Sequence, residues 1–554
     1  SVAEQRIARH CRHLDPAGNI VAAGENSINL GGEMAITTSV DRDYQLDLQL
    51  ALDIANLLEP KLSQLTGNNI TLKTTTNISP QWDIGIKNLQ LTLPAAIVTL
   101  QGEVTQTGTQ MDLTYQVVAG DPSVFTEFAP GVLWKQLSLN GTFKGSAAQP
   151  EVQAKLLIES PQGEGFTAQK MQLNLDLMAT QPLTETEALL QVNLQGHINA
   201  LKGENPVIEK LVGETIEWQA KSQIDLNQQQ VNLQEAEIST AIAKVTTTGI
   251  VQAWGQDIEL KTLASIPDFA PLSDIAGREL KGQLNLNINT NISDFGKSIV
   301  ADITTSVDRL TFNDAVLDTL LGERIDMAGV AQINPDGKMQ LRDFIVNAAQ
   351  IQTQAEAVIL PDQNLQAQWS IVVPKLAALS NALNMPLEGS LRLKGNAKGQ
   401  VSDPSITLLL TGDNLKVQEK SIKTPRIELV AHSLTSAPTG QLKTQVIFDN
   451  IPAKARLNFA VNNNETLAIS GLELSALGID MQGDVDIALA KSTANGKITG
   501  KISDFSPIST LAQQNLSGDV TFSLDLSEQN QQTLNFQAQA KNLEVVNNGI
   551  KQKI

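Results

Sequence analysis

The sequence predicts a mostly β fold, in which an elongated and largely antiparallel sheet carries a few short docked helices. Three observations predict it. Polar and apolar residues alternate along most of the chain, turn residues separate the alternating runs, and a short helical patch recurs ahead of several runs. Alternation with a period of two is typical of strands that have one apolar and one wet face. Antiparallel sheets show this pattern, whereas parallel sheets are buried on both faces.

The alternating runs are long and regular. Every second residue is apolar in Gln283–Asn289, Thr521–Ser527 and Leu534–Ala540. Segments such as Asn334–Gly337 and Ser402–Pro404 have the composition of hairpin turns. With a strand about every 12 to 15 residues, the chain holds about 40 strands, which would stack over roughly 150–200 Å at about 4.8 Å per strand.

A module recurs along the chain. It has an acidic or small start, a helical apolar patch, then Gly or Ser, and then an alternating strand. Clear copies lie at Ile266–Gly282, Val373–Gly389 and Ile502–Gly518, and weaker ones at Asp53–Leu72 and Phe125–Leu139. Two or three helical turns are too short to be stable alone, so we expect them to dock on the sheet. Repeats of this kind extend in one dimension.

The repeats suggest four segments. Residues 1–50 are an N-terminal segment, 51–265 and 266–501 are β-repeat regions with an apolar groove, and 502–554 begin a further repeat. The start of the chain, Ser1–Pro16, lacks the layout of a signal peptide, and no stretch reaches 18 consecutive apolar residues. We therefore expect an internal piece of a longer protein, whose membrane anchor or export signal lies outside it.

Composition excludes several functional classes. The 554 residues carry a formal net charge of −19 and a pI near 4.7, which argues against nucleic acid as a partner because phosphate binding needs a basic surface. A hydrophobic content of 41% and a mean hydropathy of −0.09 fit neither a disordered acidic chain nor a multi-span membrane protein. One cysteine and four histidines leave little for redox or acid/base chemistry.

No motif points to catalysis. Phosphate-binding loops, nucleophile elbows and zinc-protease signatures do not occur. His10–His13 includes the single cysteine, but no remote ligand completes a metal site. We therefore interpret this segment as a solvated basic stretch. The carboxylates Asp268, Asp274 and Asp504 fall at cap or turn positions, and Asp314–Glu323 reads as a docked structural helix. We predict neither an enzyme nor a cofactor or metal site.

The repeat residues themselves carry a resemblance. The pattern Asp-Phe-x-Pro-Leu/Ile-Ser followed by Leu-x-Gly-x-Leu/Val, at 268–284 and 504–520, resembles the TamB family, the long periplasmic proteins of Gram-negative bacteria related to the AsmA-like group. Junctions of the form Lys-Gly…Pro, at 144–152 and 398–406, belong to the same pattern. The resemblance covers roughly residues 50–554, and its motifs are structural rather than catalytic.

The resemblance implies a curved sheet folded into a trough with an apolar inner face. It further implies a bridge-like periplasmic protein that carries phospholipids between the inner and outer membranes, anchored in the inner membrane by a segment outside this sequence. Its relatives are also linked to outer-membrane protein assembly with an Omp85-type barrel partner. Two rival functions stay open: a scaffold or chaperone for outer-membrane β-barrel proteins that acts by β-augmentation, and an extracellular adhesin built of β-repeats.

An apolar face open along its length needs a partner, since soluble monomers rarely expose large apolar patches. Phospholipid acyl chains supply one: at about 0.8 kcal/mol per CH₂, a 16-carbon chain gains on the order of 10 kcal/mol on leaving water. A covered β core is the rival interpretation of the same alternation. The expected lipid-groove lining is Leu284, Leu286, Ile288, Leu391, Leu393, Ile406, Leu408, Leu410, Leu457, Phe459, Val461, Phe522, Leu524, Leu526, Leu534 and Phe536.

Overall fold

A computed structural model gives the structure of the chain and describes residues 29–38, 43–53, 70–125, 130–203, 205, 209–210, 212–462, 465–512, 515–528, 531–547 and 550–553. Most of these residues lie in antiparallel strands, and the helices are short. The predicted mostly β, largely antiparallel fold class with short helices is therefore confirmed. The chain divides into two compact units, Ser1–Ile275 and Ala276–Ile554.

The first unit is an antiparallel sheet in which the main strands follow chain order. Its strands are β1 (Asn29–Thr38), β2 (Tyr44–Asp53), β3 (Ile70–Ile78), β4 (Ile84–Thr92), β5 (Ile97–Thr105), β6 (Gln110–Ala119), β7 (Gln136–Gly145), β8 (Pro150–Glu159), β9 (Gln162–Gly163), β10 (Phe166–Thr167), β11 (Lys170–Ala179), β12 (Leu189–Asn199), β13 (Lys202–Gly203), β14 (Ile216–Asp225), β15 (Gln230–Ser239), β16 (Lys244–Gln252) and β17 (Asp257–Ile266). The short strands β9, β10 and β13 form a separate small sheet.

The second unit repeats this arrangement without a side sheet among the residues described. Its strands are β18 (Lys281–Ser293), β19 (Ser298–Thr311), β20 (Arg324–Ile333), β21 (Met339–Asn347), β22 (Gln352–Ile359), β23 (Asn364–Val373), β24 (Leu387–Gln400), β25 (Ser405–Val417), β26 (Lys420–His432), β27 (Thr439–Phe448), β28 (Ile451–Asn462), β29 (Thr466–Ala476), β30 (Ile479–Ala488), β31 (Thr493–Ile502), β32 (Asn515–Glu528), β33 (Gln532–Asn547) and β34 (Ile550–Lys553). Each strand pairs with the next. Within the described ranges, the first and last strands of each unit do not pair with each other, so the strands of neither unit form a closed sheet.

Burial follows the sequence alternation. In β28 the side chains of Ala453, Ala455 and Leu457 are half-buried, whereas those of Lys454 and Arg456 are exposed. Successive side chains on a strand point to opposite faces, so each strand contributes to one apolar and one polar face. No large side chain among the described residues is fully buried, unlike the inner faces of a sandwich, which are covered by a second sheet.

The elaborate connections lie at one end of the strands in each sheet. In the first unit, they join β6 to β7, β8 to β11 and β12 to β14. In the second unit, they carry α2 (Ala315–Leu321) between β19 and β20, a 3₁₀ turn (Leu376–Leu379) between β23 and β24, and α3 (Ser506–Ala512) between β31 and β32. A four-residue helix, α1 (Ser273–Ala276), follows β17. Every second connection of an antiparallel meander falls at the same end, which explains this placement.

Most of the small core lies at that end. The buried apolar side chains at that end of the strands are Ile70, Ala95, Ala119, Trp134, Ala168, Ile242, Phe269, Leu310, Leu379, Leu415 and Phe505. The rings of Phe125 and Trp134 pack with their centroids 5.4 Å apart. Because the helical segments supply part of this core, they close the strand ends rather than cover a face of the sheet.

Helix α2 shows how a short helix is held there. Asp314 caps it by accepting hydrogen bonds from the backbone N–H groups of Val316 and Leu317, each at 3.0 Å. The helix ends at Gly322, whose φ is +67°. Asp318 accepts a 2.7 Å hydrogen bond from the backbone N–H of Phe312, which ties the helix to β19. The helix also contacts the 3₁₀ turn between β23 and β24.

The glycine of the repeated module has a structural explanation. Gly282, Gly389 and Gly518 occupy the same place in the three clear copies and have φ values of +142°, +99° and +127°, which non-glycine residues rarely adopt. The neighbouring strand is bulged opposite each of them, with Asn414 and Asn542 at positive φ opposite the last two. A β-bulge bends its strand and increases the local twist, so the repeat marks positions where the sheet bends.

The helical part of the module differs among the clear copies and is shorter than predicted in one of them. The copy at Ile266–Gly282 has a 3₁₀ turn followed by α1, and the copy at Val373–Gly389 has only a 3₁₀ turn. Pro271 fixes the backbone in the middle of the first patch and removes a hydrogen-bond donor. The weaker copies, Asp53–Leu72 and Phe125–Leu139, fall partly outside the described residues, and the four predicted segments remain a prediction.

Candidate functional site

All of the predicted lining residues lie on one face of the sheet in the second unit. The strand register joins this face across β18 to β33 in one line of directly opposite residues, which we call the apolar row. It runs through Leu286, Thr305, Met327, Val346, Thr353, Ile371, Leu393, Leu410, Ile427, Thr444, Ala455, Leu474, Met481, Gly500, Phe522 and Ala538. At about 4.8 Å per strand the row is roughly 70 Å long.

Neighbouring lines widen the apolar face. One passes through Trp369, Gly395, Leu408, Leu429, Leu442 and Leu457. Farther along, Leu524 lies opposite Phe536 and Leu526 opposite Leu534. Together with the apolar row, these residues make a contiguous apolar face that is widest between β23 and β28, and soluble monomers rarely expose a large patch of this kind.

This face is crowded but not covered. All but two of the predicted lining side chains are half-buried, and Leu534 and Phe536 on β33 are 64% and 63% exposed. In a sandwich the same positions would be buried by a second sheet. The half-burial comes from neighbours on the same face, such as the ring of Phe536, whose centroid lies 6.1 Å from that of Phe522.

The opposite, polar face carries a cavity of about 1110 Å³ that spans β26 to β33. Its lining includes seven residues of the apolar row, namely Thr444, Ala455, Leu474, Met481, Gly500, Phe522 and Ala538. On either side of them lie two lines of directly opposite polar residues. One is Arg426, Gln445, Lys454, Ser475, Asp480, Lys501, Thr521 and Gln539, and the other is Glu428, Lys443, Arg456, Glu473, Gln482, Thr499, Ser523 and Gln537. These residues flank the apolar row on each strand, so their side chains point to the other face.

Half of the residues in these two lines are charged. Arg426 pairs with Glu428, and Lys501 Nζ lies 3.9 Å from Asp480 Oδ2. Such exposed ion pairs contribute little to stability and keep the surface hydrated. Of the predicted lining residues, Phe522 alone borders this cavity. The sequence did not predict the cavity, since its polar residues resemble those of any wet strand face.

The acidic residues at cap positions have structural partners. Asp268 Oδ1 accepts a 2.9 Å hydrogen bond from the backbone N–H of Ala270. Asp504 accepts one of 2.9 Å from the backbone N–H of Ser506, and hydrogen bonds from the side chain and backbone of Ser506 lower the pKa of that carboxyl. Asp274 instead accepts a 2.9 Å hydrogen bond from Lys210 Nζ, which lowers its pKa.

In the part of the chain that the structure describes, no group of three or more His, Cys, Asp or Glu side chains is arranged to hold a metal ion. His432 Nδ1 lies 3.1 Å from Ser405 Oγ, and His197 borders a small polar pocket on the first sheet. The cluster His10–His13 lies outside the described residues. None of the helices within the described ranges combines the length and apolarity needed to span a bilayer.

Sequence reasoning missed several members of the apolar face. Met327, Val346 and Leu429 belong to it, and the strands of Val346 and Leu429 contain bulges that shift the alternation. A shift of one residue moves a side chain to the other face, so the pattern alone does not assign them. A search of known family models and curated proteins finds no match to this chain.

Proposed function

We propose that this protein is a non-enzymatic lipid carrier that conducts phospholipids along the apolar face of its sheet. The observation that supports this most is the apolar row, which crosses every strand from β18 to β33 and is flanked by further apolar lines without a covering layer. The row contains no charged residue, so an acyl chain lying on it meets no charged side chain along its length.

Acyl chains match this face in both chemistry and dimensions. Each methylene that leaves water gains about 0.8 kcal/mol, whereas a headgroup remains hydrated at the open margin. Aliphatic side chains dominate the row, whose polar side chains are those of Thr305, Thr353 and Thr444. The row offers no charged anchor for one particular lipid. Such a surface favours movement of many similar chains over tight capture of a single ligand.

The resemblance to the TamB family extends the proposal to the cell envelope. In this proposal the sheet forms a trough in the periplasm of a Gram-negative bacterium and bridges the inner and outer membranes. A segment outside this sequence anchors the protein in the inner membrane, and an Omp85-type barrel is its partner at the outer membrane.

Photocrosslinking tests the proposal at two adjacent positions of β28. A benzoylphenylalanine at Leu457 faces the apolar side, and one at Arg456 faces the polar side of the same strand. In protein produced in cells with isotope-labelled phospholipid, we expect lipid adducts at 457 and none at 456. Equal labelling at both positions, or none at 457, would overturn the proposal.

Polypeptide adducts would instead favour the second candidate, a scaffold for outer-membrane β-barrel strands. Strand β33 gives this candidate its supporting observation. It pairs with β32 along its length but with β34 only over Glu544–Asn547. The remaining edge has backbone groups without strand partners among the described residues, and such edges bind added strands. Adducts to unfolded barrel proteins at Gln537, and no lipid at 457, would support it.

A further inference from the structure

Five aromatic side chains on the apolar faces lie directly opposite a glycine of the neighbouring strand. The pairs are Tyr115 with Gly141 and Trp218 with Gly196 in the first sheet, and Trp369 with Gly395, Phe459 with Gly440 and Phe522 with Gly500 in the second. Glycine is unfavourable inside strands unless something approaches its backbone closely. Here the aromatic ring makes that approach.

In every pair the ring occupies the space that a β-carbon would take. A Cβ on Gly395 would lie 2.2 Å from Cε2 and 2.3 Å from Cζ2 of Trp369, and one on Gly500 would lie 2.2 Å from Cζ of Phe522. Each ring therefore leans across the neighbouring strand and rests on its backbone. The lean is clearest for Tyr115, whose hydroxyl passes over Gly141 and donates a 3.4 Å hydrogen bond to the carbonyl oxygen of Gln153.

A leaning ring changes the height of the apolar surface. Side chains on strands normally stand roughly perpendicular to the sheet, so an upright indole or phenyl ring would project well above the neighbouring leucines. A ring that rests on the backbone adds only the thickness of one van der Waals contact, about 3.5–4 Å. These five rings thus rise little above the aliphatic residues around them.

We propose that these glycines level the apolar face, so that its aromatic side chains do not obstruct acyl chains that move along it. This inference rests on the proposed lipid-carrier function and assigns Gly395 and Gly500 as positioning residues for the lipid path. The simpler alternative is that the rings only stabilise strand glycines, as aromatic residues do in other sheets.

Gly395 and Gly500 are the informative positions because their three nearest neighbours are ring atoms alone. At Gly141 and Gly440 a Cβ would also lie 2.2 Å and 2.1 Å from a backbone oxygen of the next strand, so a substitution there would disturb the sheet itself. Neither Gly395 nor Gly500 has a positive φ. The atoms that the Cβ of an alanine would meet first at either position therefore belong to the ring.

The test compares phospholipid transfer between liposomes by the wild-type chain, by Gly395→Ala and by the double variant Gly395→Ala, Trp369→Leu. We expect the single variant to lose about tenfold in rate, since a raised indole removes contact with roughly two methylenes. The double variant has no ring to raise and should recover most of the rate. Gly85→Ala is the matched control, because Gly85 lies on the polar face with Asn77 Cβ 3.9 Å away.

The outcomes separate the two levels of the proposal. If wild-type protein transfers no phospholipid, the proposed function fails and this inference with it. If wild-type protein transfers lipid and Gly395→Ala transfers it equally well, only the levelling role is wrong. A double variant as slow as the single one, with a lower melting temperature, would show that the ring merely stabilises the strand. The pair Gly500 and Phe522 repeats the test if the first variants unfold.

Discussion

A single charge on the apolar face should block lipid while leaving the fold intact. Leu410 lies in the apolar row between Leu393 and Ile427 on the adjacent strands. Its side chain is half-buried, so a glutamate at this position stays hydrated when no lipid is present. We therefore expect Leu410→Glu to fold normally and to bind acyl chains more weakly where they cross this strand.

The expected loss of acyl-chain affinity follows from the strand spacing. An acyl chain that crosses one strand, about 4.8 Å wide, lays roughly four methylenes over it. At about 0.8 kcal/mol each, a carboxylate that keeps water at this point removes about 3 kcal/mol of contact, which is roughly a 150-fold loss in local affinity. The cost to folding is smaller, about 1 kcal/mol, since half of the leucine surface is already in water.

The adjacent residue provides a matched control. Leu409 points to the polar face, opposite Lys394 and Glu428, so Leu409→Glu introduces the same charge on the other side of the same strand. Phospholipid that co-purifies without detergent is quantified by mass spectrometry, and liposome transfer gives the rate. We expect Leu410→Glu to lose both and Leu409→Glu to keep both. Equal lipid content in the two variants would show that phospholipid does not bind along the apolar face.

Three further predictions concern the structure that supports this face. Asp314→Ala should lower the free energy of unfolding by about 1 kcal/mol, the usual cost of a lost helix cap. Thermal unfolding measures this loss, with Asp314→Asn as the reference because asparagine also caps helices. Hydrogen bonds from the Thr435 backbone N–H and the Ser436 hydroxyl lower the pKa of Asp403. Its contribution to stability is thus present above the ordinary pKa of 3.8 and is lost as pH falls through the lowered value. Asp403→Asn should have a lower melting temperature than wild type at pH 7 and the same melting temperature in strong acid. A difference in melting temperature that does not change with pH would contradict this. Gly389→Ala should destabilise by about 1 kcal/mol or more, because φ is +99° and alanine is strained there; unchanged urea denaturation would contradict it.

Alternation alone predicts which face most lining residues share. Leu286, Leu393 and Leu524 follow directly from period two, since no bulge interrupts their part of the strand. The pairing that joins them into one row is not predictable in this way. It depends on turn lengths and bulges, such as the one at Gly471, which have no signal in the polar and apolar pattern.

Features that depend on curvature are also missed by the sequence pattern. The polar cavity forms where β26 to β33 bend. In the sequence, its polar residues have the same pattern as any solvent-exposed strand face. The glycines under Trp369 and Phe522 look like breaks in a strand until the register places a ring over each. A glycine inside an alternating run, with an aromatic residue in the neighbouring run, is the signal that reveals such pairs.

The most direct test of the central claim is an electron cryomicroscopy map of the full chain purified without detergent. We expect elongated density that is not protein, lying on the apolar face along the row from Leu286 to Phe522 and absent from the polar cavity. A map in which polypeptide covers those side chains, or in which the face is bare while lipid occupies the polar cavity, would contradict it.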